Sequence, residues 1–259
     1  MTDRLFITGD IHGDIDIDKL SHKSWRDGKR LGCGDILAIC GDFGLVWSDP
    51  PLPRHAWWLK WLCEKPWTTV FVDGNHENFD VLDAMPVERW SGGKVHVTCR
   101  GKDGDPKVVH LMRGQLFDLN GWRTFAFGGA QSHDIAYRLP RVSWWEQEMP
   151  ATEEVAAAEA MLDEAGWSVD LVLTHCAPSR CQSRMHMAFE PDRFTDDLQG
   201  IADQLDYKLW AFGHYHMDRT MGNELCSYNA IWEVMSEPTG NPGTYCIETP
   251  SGIYLRKSN

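Results

Sequence analysis

Leu5-Phe6-Ile7-Thr8-Gly9-Asp10-Ile11-His12-Gly13 is the stretch on which the reading of this chain turns. Four apolar or β-branched residues in a row read as a buried strand, and the glycine after them lets the backbone turn sharply. The turn delivers an aspartate and a histidine just beyond the strand's carboxyl end, the place where α/β folds hold their ligands. The same pattern recurs along the chain. Ile36–Cys40 runs into Gly41-Asp42-Phe43-Gly44, and Thr69–Val72 into Asp73-Gly74-Asn75-His76-Glu77. Val169–Thr174 runs into His175, and Leu209–Phe212 into Gly213-His214-Tyr215-His216. Five buried strands thus each end in Asp, Asn or His, usually beside a glycine.

Helical patterns lie between the strands. Pro53–Glu64 carries Trp57, Trp58, Trp61 and Leu62 as a stripe expected to pack on the core. Thr152–Ala165 has Thr152 as its expected N-cap, Glu153 and Glu154 in its first turn and Gly166 just past its end. Phe194–Leu205 is a third helix. Strands alternating with helices predict an α/β architecture. Two stretches break the rhythm. Within Lys94–Phe127, the runs Val95–Val97, Val108–Leu111, Gln115–Leu119 and Thr124–Phe127 read as a β-meander. Thr220–Lys257 reads as short strands with turns at Pro238–Gly240 and Asn241–Gly243. The simplest assembly is two sheets packed together with helices outside.

Composition narrows the function classes. The 259 residues include 25 basic and 38 acidic ones, a net charge of −13. That balance argues against a non-specific nucleic-acid binder or a protein of anionic membranes, both of which need a basic surface. It leaves a phosphate substrate open, because bound cations reverse the local sign. No apolar run of about 18 residues is present, so no membrane-spanning helix is expected. Met1-Thr2-Asp3-Arg4 leads into no signal-peptide core, and a cytoplasmic location is expected. The cysteines, at Cys33, Cys40, Cys63, Cys99, Cys176, Cys181, Cys226 and Cys246, form no CxxC pair and are expected as reduced, mostly buried thiols.

The five strand ends define a chemistry. Two aspartates, one asparagine amide and several imidazoles form a mixed oxygen and nitrogen set without thiolate. Such a set suits Mn, Fe, Zn or Ni better than Ca. Seven ligands exceed one tetrahedral site and fit two ions about 3.5–4 Å apart that share a carboxylate. Two divalent cations against two carboxylates leave a positive crevice for a phosphate, and a water between the cations would be acidified to hydroxide for attack on phosphorus.

From Asp10 to His216 the ordered motifs resemble those of the calcineurin-like metallophosphoesterases. The resemblance implies a two-sheet β-sandwich flanked by helices, here as a single domain over residues 1–259. It implies that Asp10, His12, Asp42 and His216 hold one divalent ion, manganese foremost. Asp42 would bridge to a second ion held by Asn75, His175 and His214. His76 would be the catalytic histidine facing the scissile phosphate. The phosphoprotein-phosphatase branch follows its second motif with Asp-Arg-Gly, whereas this chain has Asp42-Phe43-Gly44-Leu45-Val46-Trp47. Gly92-Gly93-Lys94-Val95-His96, Leu111-Met112-Arg113-Gly114-Gln115 and Gly128-Gly129-Ala130 resemble instead the bacterial and phage-type members. The expected function is hydrolysis of a small phosphomonoester or phosphodiester.

The segment 86–150 is expected to shape the substrate pocket. Arg138, His133 and Arg113 are candidate substrate contacts there, because a guanidinium binds phosphate in bidentate fashion. Trp144 and Trp145 are expected in the core. Three other readings stand beside this one. A serine/threonine-type phosphoprotein phosphatase would lack its motif arginine. A nuclease acting on DNA or RNA would need a basic track. A catalytically inactive scaffold would be expected to have lost ligands that are all present here.

Overall fold

The computed structural model describes residues 3–185, 190–238 and 246–258. The chain runs β1 (Leu5–Thr8), β2 (Ile36–Cys40), α1 (Pro53–Cys63), β3 (Thr68–Val72), the one-turn α2 (Phe79–Leu82), β4 (Val87–Trp90), β5 (Gly93–Arg100), β6 (Pro106–Leu111), β7 (Gln115–Leu119) and β8 (Trp122–Phe127). It continues with α3 (Thr152–Glu164), β9 (Ser168–Thr174), α4 (Ser179–Met185), α5 (Arg193–Ala202), β10 (Asp206–Phe212), β11 (Arg219–Met221), β12 (Glu224–Cys226), β13 (Trp232–Met235), β14 (Cys246–Glu248) and β15 (Tyr254–Lys257). One sheet has the order β14-β15-β13-β1-β2-β3-β6-β5-β4 and the other β11-β12-β10-β9-β8-β7. β1, β2, β3 and β6 are mutually parallel neighbours, as are β8, β9, β10 and β12. The motif-bearing ends therefore emerge together from each sheet.

The period of two along a strand explains the layers. Leu5, Ile7, Ala38, Val70 and Val72 share one buried cluster with Phe117, Ala126, Leu171, Leu173, Leu209 and Ala211 of the second sheet. The alternate residues Phe6, Leu37, Ile39 and Phe71 pack with Trp58 and Leu62 of α1. On the far side, Phe125, Val172, Trp210 and Phe212 pack with Val155 and Leu162 of α3 and Phe194 and Leu198 of α5. Strands covered on both faces are apolar throughout, which is why β1 and β2 carry no polar alternation.

The structure corrects the sequence reading at several places. The expected meander is divided: β5 and β6 belong to the first sheet, β7 and β8 to the second. Parallel pairing of β6 with β3 and of β8 with β9 pulls the two hairpins apart. The chain crosses between the sheets at Gly114, whose φ of +67° a side-chain-bearing residue adopts only under strain. Thr152 is the first residue of α3 and not its cap. Ala151 caps, and the Glu154 carboxylate reaches back to accept its N–H at 2.8 Å. α5 starts one residue earlier than expected, where Asp192 accepts the Thr195 N–H at 2.9 Å, and it ends at Ala202. Trp57 leaves the expected stripe and is 56% exposed, while Trp58 is buried. Among the expected C-terminal turns, all but Pro238 lie outside the described residues.

A disulfide joins Cys63 at the end of α1 to Cys99 in β5, against the expectation of eight reduced thiols. Cys40, Cys176, Cys181 and Cys226 are unbridged and buried, as read from the sequence. Spacing does not reveal a pairing over 36 residues. Closing a loop of that length removes denatured-state entropy worth about 3–4 kcal/mol. Cys63→Ser together with Cys99→Ser is therefore expected to lower the melting temperature by roughly 5–15 °C. Calorimetry of the double variant checks this; an unchanged melt would show the bridge to be without stabilising effect.

Candidate metal centre

The ends of β1, β2 and β3 meet those of β9 and β10 at one edge of the sandwich. Asp10 and Asp42 are buried there, with His175 between them. His175 Nε2 lies 3.2 Å from Asp42 Oδ1 and 3.2 Å from Asn75 Oδ1. Its Nδ1–H donates to the Cys40 carbonyl at 2.8 Å, which fixes the ring. His12 is set in the same way: Nδ1–H donates to Asp16 at 2.7 Å, and Nε2 lies 3.3 Å from Asp42 Oδ2. His216 Nε2 lies 3.3 Å from Asp10 Oδ2. The His214 backbone N–H donates to Asp10 Oδ1 at 3.0 Å, and its half-buried ring lies 4.9 Å from that of His175.

Backbone strain is concentrated at this edge. His12, Asp42, His214 and His216 have φ of 45°, 48°, 64° and 50°. Non-glycine residues in this region cost about 1–3 kcal/mol each and persist where the surroundings impose them. Gly41 shows the tightness of the fit. Its φ is +87°, and an added Cβ would lie 2.1 Å from His175 Nδ1. Gly41→Ala is therefore expected to displace His175 and to lower metal retained per chain by about tenfold, on the scale of losing a ligand-orienting contact. Elemental analysis of the purified variant checks this; full metal content would show that His175 need not hold its place.

The charges suit a cation. Burial opposes ionisation of Asp42, yet the charge of His175 and the His12 hydrogen bond hold its carboxyl well below the usual range. Burial disfavours the His175 cation as well, but Asp42 and then Asp10 outweigh it and raise its pKa to about 10. Burial and the neighbouring His175 charge push His214 down to about 3, so its imidazole is neutral. Three sets of ligand atoms lie within 4.8 Å of one another: Asp10, His12 and His216; His12, Asp42 and His76; Asp10, Asp42 and His175. Imidazoles that give one N–H to a carbonyl or carboxylate and turn the other nitrogen toward acidic oxygens have the form of metal ligands with their outer partners.

His76 stands at the rim. Its backbone N–H donates to Asp42 Oδ1 at 2.8 Å, and its ring is 5.3 Å from that of His12. Arg138 Nη2–H donates to His76 Nε2 at 2.9 Å, and Arg138 Nη1–H donates to the Asn75 carbonyl at 3.2 Å. Burial lowers the His76 pKa, and the Arg138 charge adds to that. Arg138 also pairs with Asp134 at 2.6 Å. The exposed His133 ring lies 5.5 Å from that of His214. Arg113 is placed elsewhere: its Nε and Nη2 donate to Asp73 Oδ2 at 2.9 and 2.6 Å, and Nη1 pairs with Glu154. That guanidinium is a structural ion pair behind the cleft. Trp145 is buried, as expected, and its indole N–H donates to Asp80 at 2.9 Å.

Sequence reading missed the residues that hold the ligands. The buried Glu77 carboxylate accepts the Phe43 and Gly44 N–H groups at 2.7 and 3.0 Å, stitching two motifs together. Lys19 Nζ donates to the carbonyls of Gly9, Asp10 and Tyr228. Asp16, Ser132, Glu148 and Tyr228 also act here. Glu77 carried a signal, as part of Gly74-Asn75-His76-Glu77, and so did Ser132, which follows the apolar end of β8; the others are brought here by the fold alone.

Comparison with known proteins agrees with this geometry. The sequence profile of the calcineurin-like phosphoesterases matches residues 4–218. The mouse lariat debranching enzyme is 30% identical over 107 residues, 36% of this chain but only 19% of that protein's length. Among solved structures, phosphopantetheinyl hydrolase from Mycobacterium tuberculosis superposes with a TM-score of 0.43 at 17% identity, covering 88% of this chain and 90% of its own. The sulfate thiohydrolase of Thermus thermophilus, solved with glycerol, gives 0.48 at 11% identity, covering 99% and 56%. A family match over most of the chain, on a two-sheet α/β fold whose strand ends gather acidic oxygens and imidazoles, places this protein in the calcineurin-like phosphoesterase family.

Proposed function

We propose that the chain hydrolyses a small phosphomonoester or phosphodiester at a pair of divalent cations. Asp10, His12 and His216 would hold one, Asn75, His175 and His214 the other, and Asp42 both. One observation carries this reading. His175 Nε2 faces carboxylate and amide oxygens 3.2 Å away on two sides, while its Nδ1 is engaged by the Cys40 carbonyl. Electron-rich atoms converge there on a point that calls for positive charge. Manganese fits the mixed oxygen and imidazole set, and iron, zinc and nickel fit it too. Bound there, such cations supply positive charge to a phosphoryl group and bring the pKa of water toward neutrality.

The chain's own groups do the rest. His76 and Arg138 form a donor pair at the rim, and Arg138 is suited to a phosphate oxygen. When a phosphate draws Arg138 away, the freed Nε2 of His76 takes up a proton from solvent, and the imidazolium can give it to the leaving oxygen. The segment 86–150 shapes the pocket by carrying Arg138 and His133 to it. A net charge of −13 favours a small substrate over a nucleic-acid polymer. The similarity to lariat debranching enzyme covers too little of that protein to bring its substrate to this chain.

The test is an assay of manganese-loaded protein on p-nitrophenyl phosphate, bis-p-nitrophenyl phosphate and a panel of nucleotides. Hydrolysis that a chelator abolishes is expected for at least one of them. Cleavage of none by protein shown to carry metal would contradict the proposal.

A further inference from the structure

The candidate ligands are held from behind by two groups of side chains. On the Asp10 side, Asp16 accepts His12 Nδ1–H at 2.7 Å and the Tyr228 hydroxyl at 3.2 Å. The Tyr228 ring stacks on that of His216, with centroids 4.5 Å apart and planes 14° apart. Lys19 ties the Tyr228 carbonyl to the Gly9 and Asp10 carbonyls. One tyrosine thus touches His216 directly and His12 through one carboxylate. It is 212 residues from Asp16 in sequence, so the fold alone makes this contact.

On the Asn75 side the device differs. Asn75 Nδ2–H donates to Ser132 Oγ at 3.2 Å, and the Ser132 hydroxyl donates to Glu148. Glu148 is buried, and its other oxygen accepts the Trp145 backbone N–H at 3.3 Å. An asparagine amide is nearly symmetric in shape, so either end fits the same space. The Ser132 oxygen, turned by its own bond to Glu148, accepts the NH₂ and so directs Asn75 Oδ1 toward His175. Without it, the amide is free to turn over and present a donor to the cation.

The two groups share no residue. We infer that Tyr228 with Asp16, and Ser132 with Glu148, are positioning residues that set the affinities of two cation subsites separately, one pair for each. This rests on the two-cation reading above. Partners behind metal ligands typically change affinity by about 10- to 100-fold when removed. Tyr228→Phe keeps the stack on His216 and removes only the hydroxyl; Ser132→Ala removes only the oxygen facing Asn75.

The experiment is calorimetric titration of the metal-free, full-length protein with Mn²⁺, with electron paramagnetic resonance at each equivalent to distinguish isolated from exchange-coupled ions. The unaltered protein is expected to take two equivalents. Tyr228→Phe and Ser132→Ala are each expected to weaken one equivalent by about tenfold. The other equivalent should stay within about twofold, because neither variant alters Asp42, the one ligand the two subsites share, or any other group behind the second subsite. The double variant decides: separate subsites require that both equivalents weaken in it. A double variant that keeps one equivalent at its original affinity would overturn the inference, as would single variants that weaken both equivalents alike or neither. Ser132→Thr, which restores a hydroxyl, is expected to recover the affinity that Ser132→Ala loses; failure to do so would also count against the role. Uptake of only one equivalent by the unaltered protein would overturn the two-cation reading itself, and this inference with it.

Discussion

Asp42→Asn is expected to lower turnover by at least about a thousandfold, a loss of roughly 4 kcal/mol of transition-state stabilisation. The purified variant should also be short of metal. Asp42 is buried, and both its oxygens are in use. Oδ1 accepts the His76 N–H at 2.8 Å and lies 3.2 Å from His175 Nε2, while Oδ2 lies 3.3 Å from His12 Nε2. Asp10 also groups with both imidazoles, but Asp42 makes the closer approach to His175, 3.2 Å against 3.9 Å from Asp10. Asparagine keeps its size, so the fold should survive. On the two-cation reading it removes a negative charge common to both subsites, and it turns an NH₂ donor toward one of two imidazoles. Activity assays with elemental analysis on the same preparation check this, and circular dichroism confirms the fold. Near-normal turnover with full metal content would show that Asp42 does not bridge.

His76→Ala should behave differently, with turnover lowered by about 10²- to 10⁴-fold and metal retained. The separation follows from which atoms do what. The backbone N–H of His76 supports Asp42, and truncation of the side chain leaves that bond in place. The ring faces Arg138, at the rim of the cluster. The ring nitrogens nevertheless come near His12 and Asp42, so the opposite outcome has a definite meaning. Metal loss in His76→Ala would make His76 a ligand and remove it as the acid.

The sequence revealed the parts of this fold whose two faces are both covered. β1 and β2 were legible to the residue because Leu5–Thr8 and Ile36–Cys40 are apolar or β-branched throughout and end at a glycine beside an aspartate. β4 was not, because Val87–Trp90 is an edge strand with exposed and half-buried positions and no apolar run. The hairpins β5–β6 and β7–β8 were legible as strands, but the sheet to which each belongs is set by parallel partners far away in sequence. The candidate ligands could be read for the same reason, since they lie just beyond the apolar ends of β1, β2, β3, β9 and β10. Asp16, Lys19, Glu148 and Tyr228 could not. They lie in loops, turns or short 3-10 helices (Lys19 in Ile17–Leu20, Glu148 in Glu146–Glu148), as ordinary polar residues that only the folded backbone brings to the site.

The central claim is that Asp10, His12, Asp42, Asn75, His175, His214 and His216 meet around two cations. The most direct measurement is anomalous diffraction at the manganese absorption edge from crystals grown with Mn²⁺. The account predicts two peaks at the joined strand ends, with Asp42 bound to both. No peak there, or a single one that Asp42 does not touch, would contradict it.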